Sequence, residues 1–255
     1  MAPTRAYYAE KGLSAAFYDT VTAADTRLAG DVDIYADMLP PGGSVLELGA
    51  GTGRLAFALA ERGFSVLGIE IAPAMLAQAN AKRAELDPAL ARRVEFKRGD
   101  MTALDLKQVF DAVICPYFTL AHVPRGMAWK NTFATAARHL KSGGIAAFHL
   151  PLPEIMSLPG PQNPDLPVLD EATATGTRLQ LYVRERTFRE DVGRLDQTIE
   201  YVERDGRGAV IRQSRERLTY YHADPVPLAT AAGLTPDRAP IPLGGVGEIS
   251  VFLKA

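Results

Sequence analysis

The chain has one cysteine, Cys115, in 255 residues. A lone thiol forms no disulfide within the chain and furnishes no multi-cysteine metal site, so a stapled secreted scaffold is not expected. No run of about eighteen or more apolar residues occurs, because charges interrupt every hydrophobic stretch, and the signal of a membrane-spanning helix is missing. Charge of one sign is missing too: 28 basic residues stand against 30 acidic ones, a net of -2. That balance supplies no general attraction for a polyanion, and there is no basic stripe or aromatic platform for RNA. The opening residues MAPTRAYYAEKG lack the apolar core of a signal peptide, so a cytoplasmic setting is the expectation. Catalytic signatures are equally sparse. With no C-x-x-C, H-E-x-x-H or tight Asp/Glu/His cluster, no metal is expected. The absence of G-x-S-x-G argues against the usual α/β-hydrolase.

What is present reads as an ordinary globular protein, 47% hydrophobic and 23% charged, long enough to bury a sizeable core without staples. At roughly 150 residues per domain the length corresponds to one elaborated α/β domain. Its first forty residues read as helical pieces rich in aromatic and acidic residues, stopped by Pro40-Pro41-Gly42-Gly43. A strand, Val45–Leu48, then a glycine loop, then a helix from Arg54 to Glu61 follow. Further strands are read at Ser65–Glu70, Val94–Phe96, Phe110–Cys115 and Ile145–Leu150, with helices at Ala74–Leu86 and Lys130–Leu140. This alternation predicts a largely parallel, twisted sheet with helices on both faces. From Pro151 the rhythm changes. Six prolines to Pro167 read as irregular loop. Alternating patterns at Thr177–Thr187, Arg194–Arg204 and Val210–Tyr221 then predict a small inserted antiparallel sheet, with Asp205-Gly206-Arg207-Gly208 as a tight turn. Arginines there are matched by acids, which favours a solvated face over a nucleic-acid groove. A helix over Pro225–Ala232 and a strand at Ile249–Leu253 close the chain.

In such a sheet, ligands lie beyond the carboxyl ends of the strands. Four groups fall there. Gly49-Ala50-Gly51-Thr52-Gly53 lets the backbone turn tightly and approach a ligand without an intervening side chain. It departs from the dinucleotide fingerprint, which needs glycine where Arg54 stands, and no lysine follows as a triphosphate loop requires. Glu70, ending the next strand, has the right chemistry to accept both hydroxyls of a ribose. Asp100 with Met101 suits an adenine edge while Ile71 packs on the base, although Asp100 also suits a turn. Cys115-Pro116-Tyr117-Phe118 borders the same region, where a lone cysteine also reads as a small buried hydrophobe.

Val45-Leu46-Glu47-Leu48-Gly49-Ala50-Gly51-Thr52-Gly53 resembles the signature of class I S-adenosylmethionine-dependent methyltransferases. Val66–Glu70, Gly99-Asp100-Met101, Phe110–Cys115, Leu140–Gly144 and Ala231–Leu234 follow in the order expected of that family. The likeness is close over residues 40–150 and looser over 222–255. It implies a Rossmann-like seven-stranded, mostly parallel sheet carrying an inserted antiparallel sheet. The implied organisation is an N-terminal helical cap at 1–40, an S-adenosyl-L-methionine-binding core at 41–150, an acceptor-side insertion at 151–222 and a completing segment at 223–255. By the same resemblance Gly49, Ala50, Gly51 and Gly53 lie under the methionine part of the cofactor, and Glu47 supports the loop or the cofactor's amino group. Glu70 binds the ribose diol, Ile71 flanks adenine, and Asp100 with Met101 binds its edge. Cys115 and Tyr117 line the wall beside the sulfonium, and Tyr18 closes over the cofactor.

The expected reaction is methyl transfer to nitrogen or oxygen of a small molecule. An oxygen acceptor needs a base within hydrogen-bond reach, for which His122, His149 and His222 are the candidates. Tyr182 and Tyr221 fall where an acceptor pocket or simple packing would use them. Cys115-Pro116-Tyr117-Phe118 replaces the N-P-P-Y type of motif that accompanies methylation of bases and glutamine amides, which lowers the case for nucleic acid. A homodimer through the inserted sheet is compatible with the sequence. Two other readings share the loop and the acid: an NAD-dependent oxidoreductase, and a non-catalytic ligand-binding protein with a methyltransferase fold.

Overall fold

The computed structural model describes residues 4–255 and separates into two compact units. One unit is Arg27–Leu152 with His222–Ala255; the other is the chain before Arg27 with Pro153–Tyr221. In chain order the strands are β1 (Thr4–Ala6), β2 (Ser44–Leu48), β3 (Ser65–Glu70), β4 (Val94–Arg98), β5 (Phe110–Cys115), β6 (Leu140–Pro151), β7 (Leu169–Ala172), β8 (Arg178–Arg189), β9 (Arg194–Arg204), β10 (Val210–Tyr221), β11 (Leu234–Pro236), β12 (Ile241–Leu243) and β13 (Gly247–Lys254).

The larger unit holds the sheet β4-β3-β2-β5-β6-β13-β11, parallel from β4 to β6 and antiparallel at β13. The expected seven strands are there. An eighth, β12, continues β11 along the free edge of β13. The parallel strands are buried on both faces, which is why they read as near-continuous apolar runs: Val45, Leu46 and Leu48 are fully buried, as are Ala112, Val113 and Ile114. Between β2 and β3 the helix Arg54–Glu61 turns Leu55, Ala56, Leu59 and Ala60 inward as one stripe. It ends in a Schellman motif. Gly63, at φ +95°, donates to Ala60, and Phe64 donates to Leu59. The chain builds outward from β2 through β3 to β4, then jumps back to β5 on the other side of β2. This reversal opens a crevice at the carboxyl ends of β2 and β5, where the glycine loop and Cys115-Pro116-Tyr117 emerge. One sheet face packs Tyr35, Leu55, Leu59 and Val251. Phe133, Phe148 and Phe252 form a separate aromatic cluster with centroids 4.4–6.4 Å apart.

The smaller unit holds the sheet β1-β10-β9-β8-β7. Its three long strands lie close to where alternation predicts them. Leu179, Leu181, Ile199, Tyr201 and Leu218 form its apolar core with Leu13 and Phe17 from the N-terminal helical segment. The polar residues make a lattice: Glu200 pairs with Arg184 and Arg215, and Asp196 with Arg189 and Arg194. That accounts for the matched arginines and acids.

Two expectations need correction. The first forty residues are not one helical cap. Thr4–Ala6 is a strand pairing parallel with β10, and the helix Asp31–Asp37 belongs to the larger unit. A buried glutamate anchors this N-terminal arm: Glu216 accepts from the Leu13 and Ser14 amides and from the Ser14 and Ser214 hydroxyls. The proline-rich stretch is also not wholly irregular, since Pro153–Ser157 is a short helix. A three-residue strand and a one-turn helix carry too little periodicity to be read from sequence.

Candidate functional site

The loop after β2 is built on three left-handed glycines: φ is +78° at Gly49, +59° at Gly51 and +87° at Gly53. Gly49 and Ala50 both donate to the Ile69 carbonyl, at 2.8 and 3.0 Å, which ties the loop to β3. A Cβ at Gly49 would overlap the Thr119 methyl, and one at Gly53 would lie 2.6 Å from the Phe57 and Phe96 rings. The turn therefore demands glycine for both dihedral and steric reasons.

Glu70 crosses beneath this loop. Its Oε2 accepts from the Gly51 amide at 2.8 Å and its Oε1 from the Ala72 amide at 2.7 Å. Burial raises its pKa, while the Ala72, Gly51 and Ile71 amides pull it down. Acceptor capacity is left on the carboxylate beyond these amides. Ile71 beside it is 58% exposed, an unusual place for a large apolar side chain. Asp100 stands exposed after β4 and uses Oδ1 to accept from the Thr102 amide and hydroxyl, both at 2.8 Å. It is therefore a turn residue whose Oδ2 remains available. Met101 is half-buried next to it.

Under the loop lies a buried polar layer. Glu47 is 2% exposed and its Oε2 has no hydrogen-bond partner. Burial pushes its pKa up to about 8, opposed by Arg54 and reinforced by Asp31 and Glu70. Arg54 is bound to Asp31 through both guanidinium nitrogens. The Tyr35 hydroxyl is buried here without a partner. Asp31, Tyr35 and Arg54 are not singled out as ligand-site residues by the sequence reading. Arg54 stands directly after the loop and is the one signal available.

Beyond β5, Tyr117 and Phe118 both adopt left-handed backbone, φ +47° and +60°, with their rings stacked 5.9 Å apart. Two consecutive non-glycine residues in that region cost roughly 1–3 kcal/mol each, the kind of strain found at ligand sites. Cys115 is fully buried, and burial pushes its thiol up, opposed by a bond from the Leu120 backbone. His149 is 2% exposed with Nε2 unpartnered; its ring lies 4.4 Å from that of Phe118, and Gly247 packs against its Nε2. Burial lowers its pKa to about 4, helped by Arg54. His122 is partly exposed, and desolvation lowers it also to about 4. His222 is partly exposed at the start of the C-terminal segment. The remaining histidine, His139, is structural: Nε2 accepts from Leu106 and Nδ1 bonds the Thr135 carbonyl.

The larger unit thus gathers Glu47, the loop glycines, Glu70, Ile71, Asp100, Met101 and Tyr117 along one set of strand ends. Tyr18 belongs to the other unit, its ring 6.0 Å from Tyr8. Tyr182 is buried there with its hydroxyl on Gln180 and Arg184 over its ring, and Tyr221 lies beneath Arg194. Both are packing residues of the charged sheet.

Residues 45–144 match a family model described as a methyltransferase domain. Over 110 residues the chain is 34% identical to the putative methyltransferase YqeM of Bacillus subtilis, covering 43% of each protein. The chain thus spans less than half the length of that curated relative. Among solved structures, the CcbJ methyltransferase from Streptomyces caelestis superposes with a TM-score of 0.76 at 23% identity, over 98% of both chains. CalS10, an amino pentose methyltransferase from Micromonospora echinaspora with S-adenosylmethionine bound, gives 0.72 at 24% identity, over 94% of this chain and 97% of that one. At those identities the structural likeness speaks for the fold, while the motif-bearing segment carries the kinship. Residues 45–144 thus resemble a methyltransferase domain, and the chain as a whole shares the fold of solved methyltransferases.

Proposed function

We propose that the chain transfers a methyl group from S-adenosylmethionine to a nitrogen or oxygen of a small molecule by direct in-line displacement. The observation that carries this is Glu70 held by the Gly51 and Ala72 amides, a pre-oriented carboxylate with lone pairs to spare at the foot of a three-glycine loop. The residues suit the cofactor in kind. Glu70 suits the ribose diol, the exposed Ile71 the adenine face, and Asp100 Oδ2 with the Met101 amide the adenine edge. The backbone of Gly49, Ala50, Gly51 and Gly53 suits the methionine part, with the Glu47 carboxyl below. Tyr117 suits the wall beside the sulfonium with its ring.

When bound, the sulfonium supplies an already activated methyl group. What remains for the chain is to align the acceptor and exclude water. An amine acceptor needs only to arrive deprotonated, whereas a hydroxyl needs a base within reach. His122 is the first candidate, being partly exposed and neutral at pH 7. The buried His149 is a weaker one, and His222 is the third. A base that holds a proton so weakly suits an amine acceptor, which needs none, better than a hydroxyl. The resemblance to an amino pentose methyltransferase supports a small acceptor. Calorimetric titration with S-adenosylmethionine, S-adenosylhomocysteine and NADH is the test. Saturable binding of the first two alone supports the proposal and licenses an acceptor screen with labelled methyl donor; binding of NADH alone defeats it.

A further inference from the structure

Three acids and one guanidinium make up the layer beneath the glycine loop. Glu47, from the last turn of β2, is almost wholly buried, and its Oε2 is unbonded. The charges facing it are Arg54 at the start of the helix Arg54–Glu61, Asp31 from the helix Asp31–Asp37, and Glu70 from β3. Tyr35 and Cys115 also couple to it, and burial keeps both protonated. Arg54 is already engaged by Asp31 through two nitrogens. Glu70 is engaged by backbone amides and adds repulsion. An ionised Glu47 would therefore be a buried, incompletely bonded anion with no uncommitted cation to answer it, a state that is strongly disfavoured.

Resting on the reading that the loop binds S-adenosylmethionine, we propose that Glu47 reads the ligand's charge: it is neutral in the ligand-free protein and releases its proton to solvent when a cation settles on the loop above it. The carboxylate left behind attracts that cation, so binding and proton release are one equilibrium. The perturbed titration of Glu47, near pH 8, places this exchange in the neutral range. Two groups can supply the cation: the ammonium, shared by cofactor and demethylated product, and the sulfonium, carried by the cofactor alone. If the sulfonium does so, Glu47 favours cofactor over product and regains its proton as product forms.

The test is calorimetry on the whole chain with S-adenosylmethionine and S-adenosylhomocysteine, in two buffers of different ionisation enthalpy, from about pH 6 to 8. The expectation is a release approaching one proton per site near pH 7 and an affinity that rises with pH by up to about tenfold per unit. The variant Glu47→Gln should bind with no proton release and a flat profile. Release with both ligands identifies the ammonium as the cation, and release with the cofactor alone identifies the sulfonium. Saturable binding without release, or release that persists in E47Q, overturns the role of Glu47 and leaves the cofactor reading standing. Binding of neither ligand overturns the cofactor reading itself. Where E47Q does not fold, saturable wild-type binding without proton release is by itself enough to overturn the role of Glu47.

Discussion

Replacing Gly49 by alanine separates two reasons for one glycine. The residue sits at φ +78°, and an added Cβ would overlap the Thr119 methyl while lying 3.2 Å from Thr119 Cβ and 3.1 Å from Oγ1. The left-handed backbone costs a non-glycine residue about 1–2 kcal/mol. Overpacking a rigid site costs about 1–3 kcal/mol more. Gly49→Ala should therefore lose about 2–5 kcal/mol, a large part of a typical domain's stability. Urea unfolding of the ligand-free chain, with the slope checked for constancy, measures it. Thr119→Ser removes the offending methyl and keeps the hydroxyl; alone, at a half-buried position, it should cost about 1 kcal/mol or less. In the double variant the steric cost goes and the dihedral cost stays, so it should be about 1–2 kcal/mol more stable than additivity allows. Affinity for S-adenosylmethionine should fall in G49A and recover only partly in the pair. Plain additivity of the two single losses would refute the claim that Thr119 is what Gly49 makes room for.

Three further outcomes follow from the same geometry. Glu216→Gln sets an amide group against the Leu13 and Ser14 amides and the two serine hydroxyls that the carboxylate now satisfies; it should cost about 2–4 kcal/mol and speed amide exchange across residues 12–16, and unchanged exchange there would count against it. Asp111 is held down to about 2 by the Lys141 bond first and the Ser44 bonds next; because the folded value is depressed, its stabilisation is present above about pH 4 and lost as pH falls toward 2, worth about 1 kcal/mol after solvent screening, and Asp111→Asn should remove that acid-side dependence. Glu47 has the opposite sign. Its folded value is raised to about 8 from 4.5, so the folded state keeps a proton that the unfolded chain releases, and ligand-free stability should decline from about pH 4.5 to 8 by up to about 5 kcal/mol; E47Q should lack the decline, and identical pH profiles for the two proteins would refute the assignment.

The parts of the fold legible in the sequence are those whose cause is local. Pro40-Pro41-Gly42-Gly43 ends one element by removing donors and fixing dihedrals, and the alternation in Arg194–Arg204 is the pleat of β9 written in residue types. The short strands β1 and β11 are held by partners far along the chain, so nothing within three residues announces them; β12 is the three-residue arm of a hairpin with β13, too short to show alternation. The candidate site divides in the same way. Gly49, Gly51, Gly53 and Glu70 are visible because the turn and the strand end restrict which residue types can stand there. Asp31 and Tyr35 are invisible because an acid or a tyrosine in a helix is unremarkable until its neighbours are known.

From its residues alone this chain determined an alternating α/β core, a glycine loop after the first core strand, an acid at the end of the next, and a methyltransferase-like order of motifs. Those features follow from backbone chemistry and hydrophobic periodicity, which act over a few residues. Tertiary structure alone decided that Glu70 is clasped by Gly51, that Cys115 is wholly buried, and that His149 is buried against Gly247. It alone decided that Glu47 faces Arg54, Asp31 and Glu70 together. Burial and unpaired charge arise from what the fold brings together across the chain, and a buried carboxylate becomes chemically distinctive only when its partners have been counted.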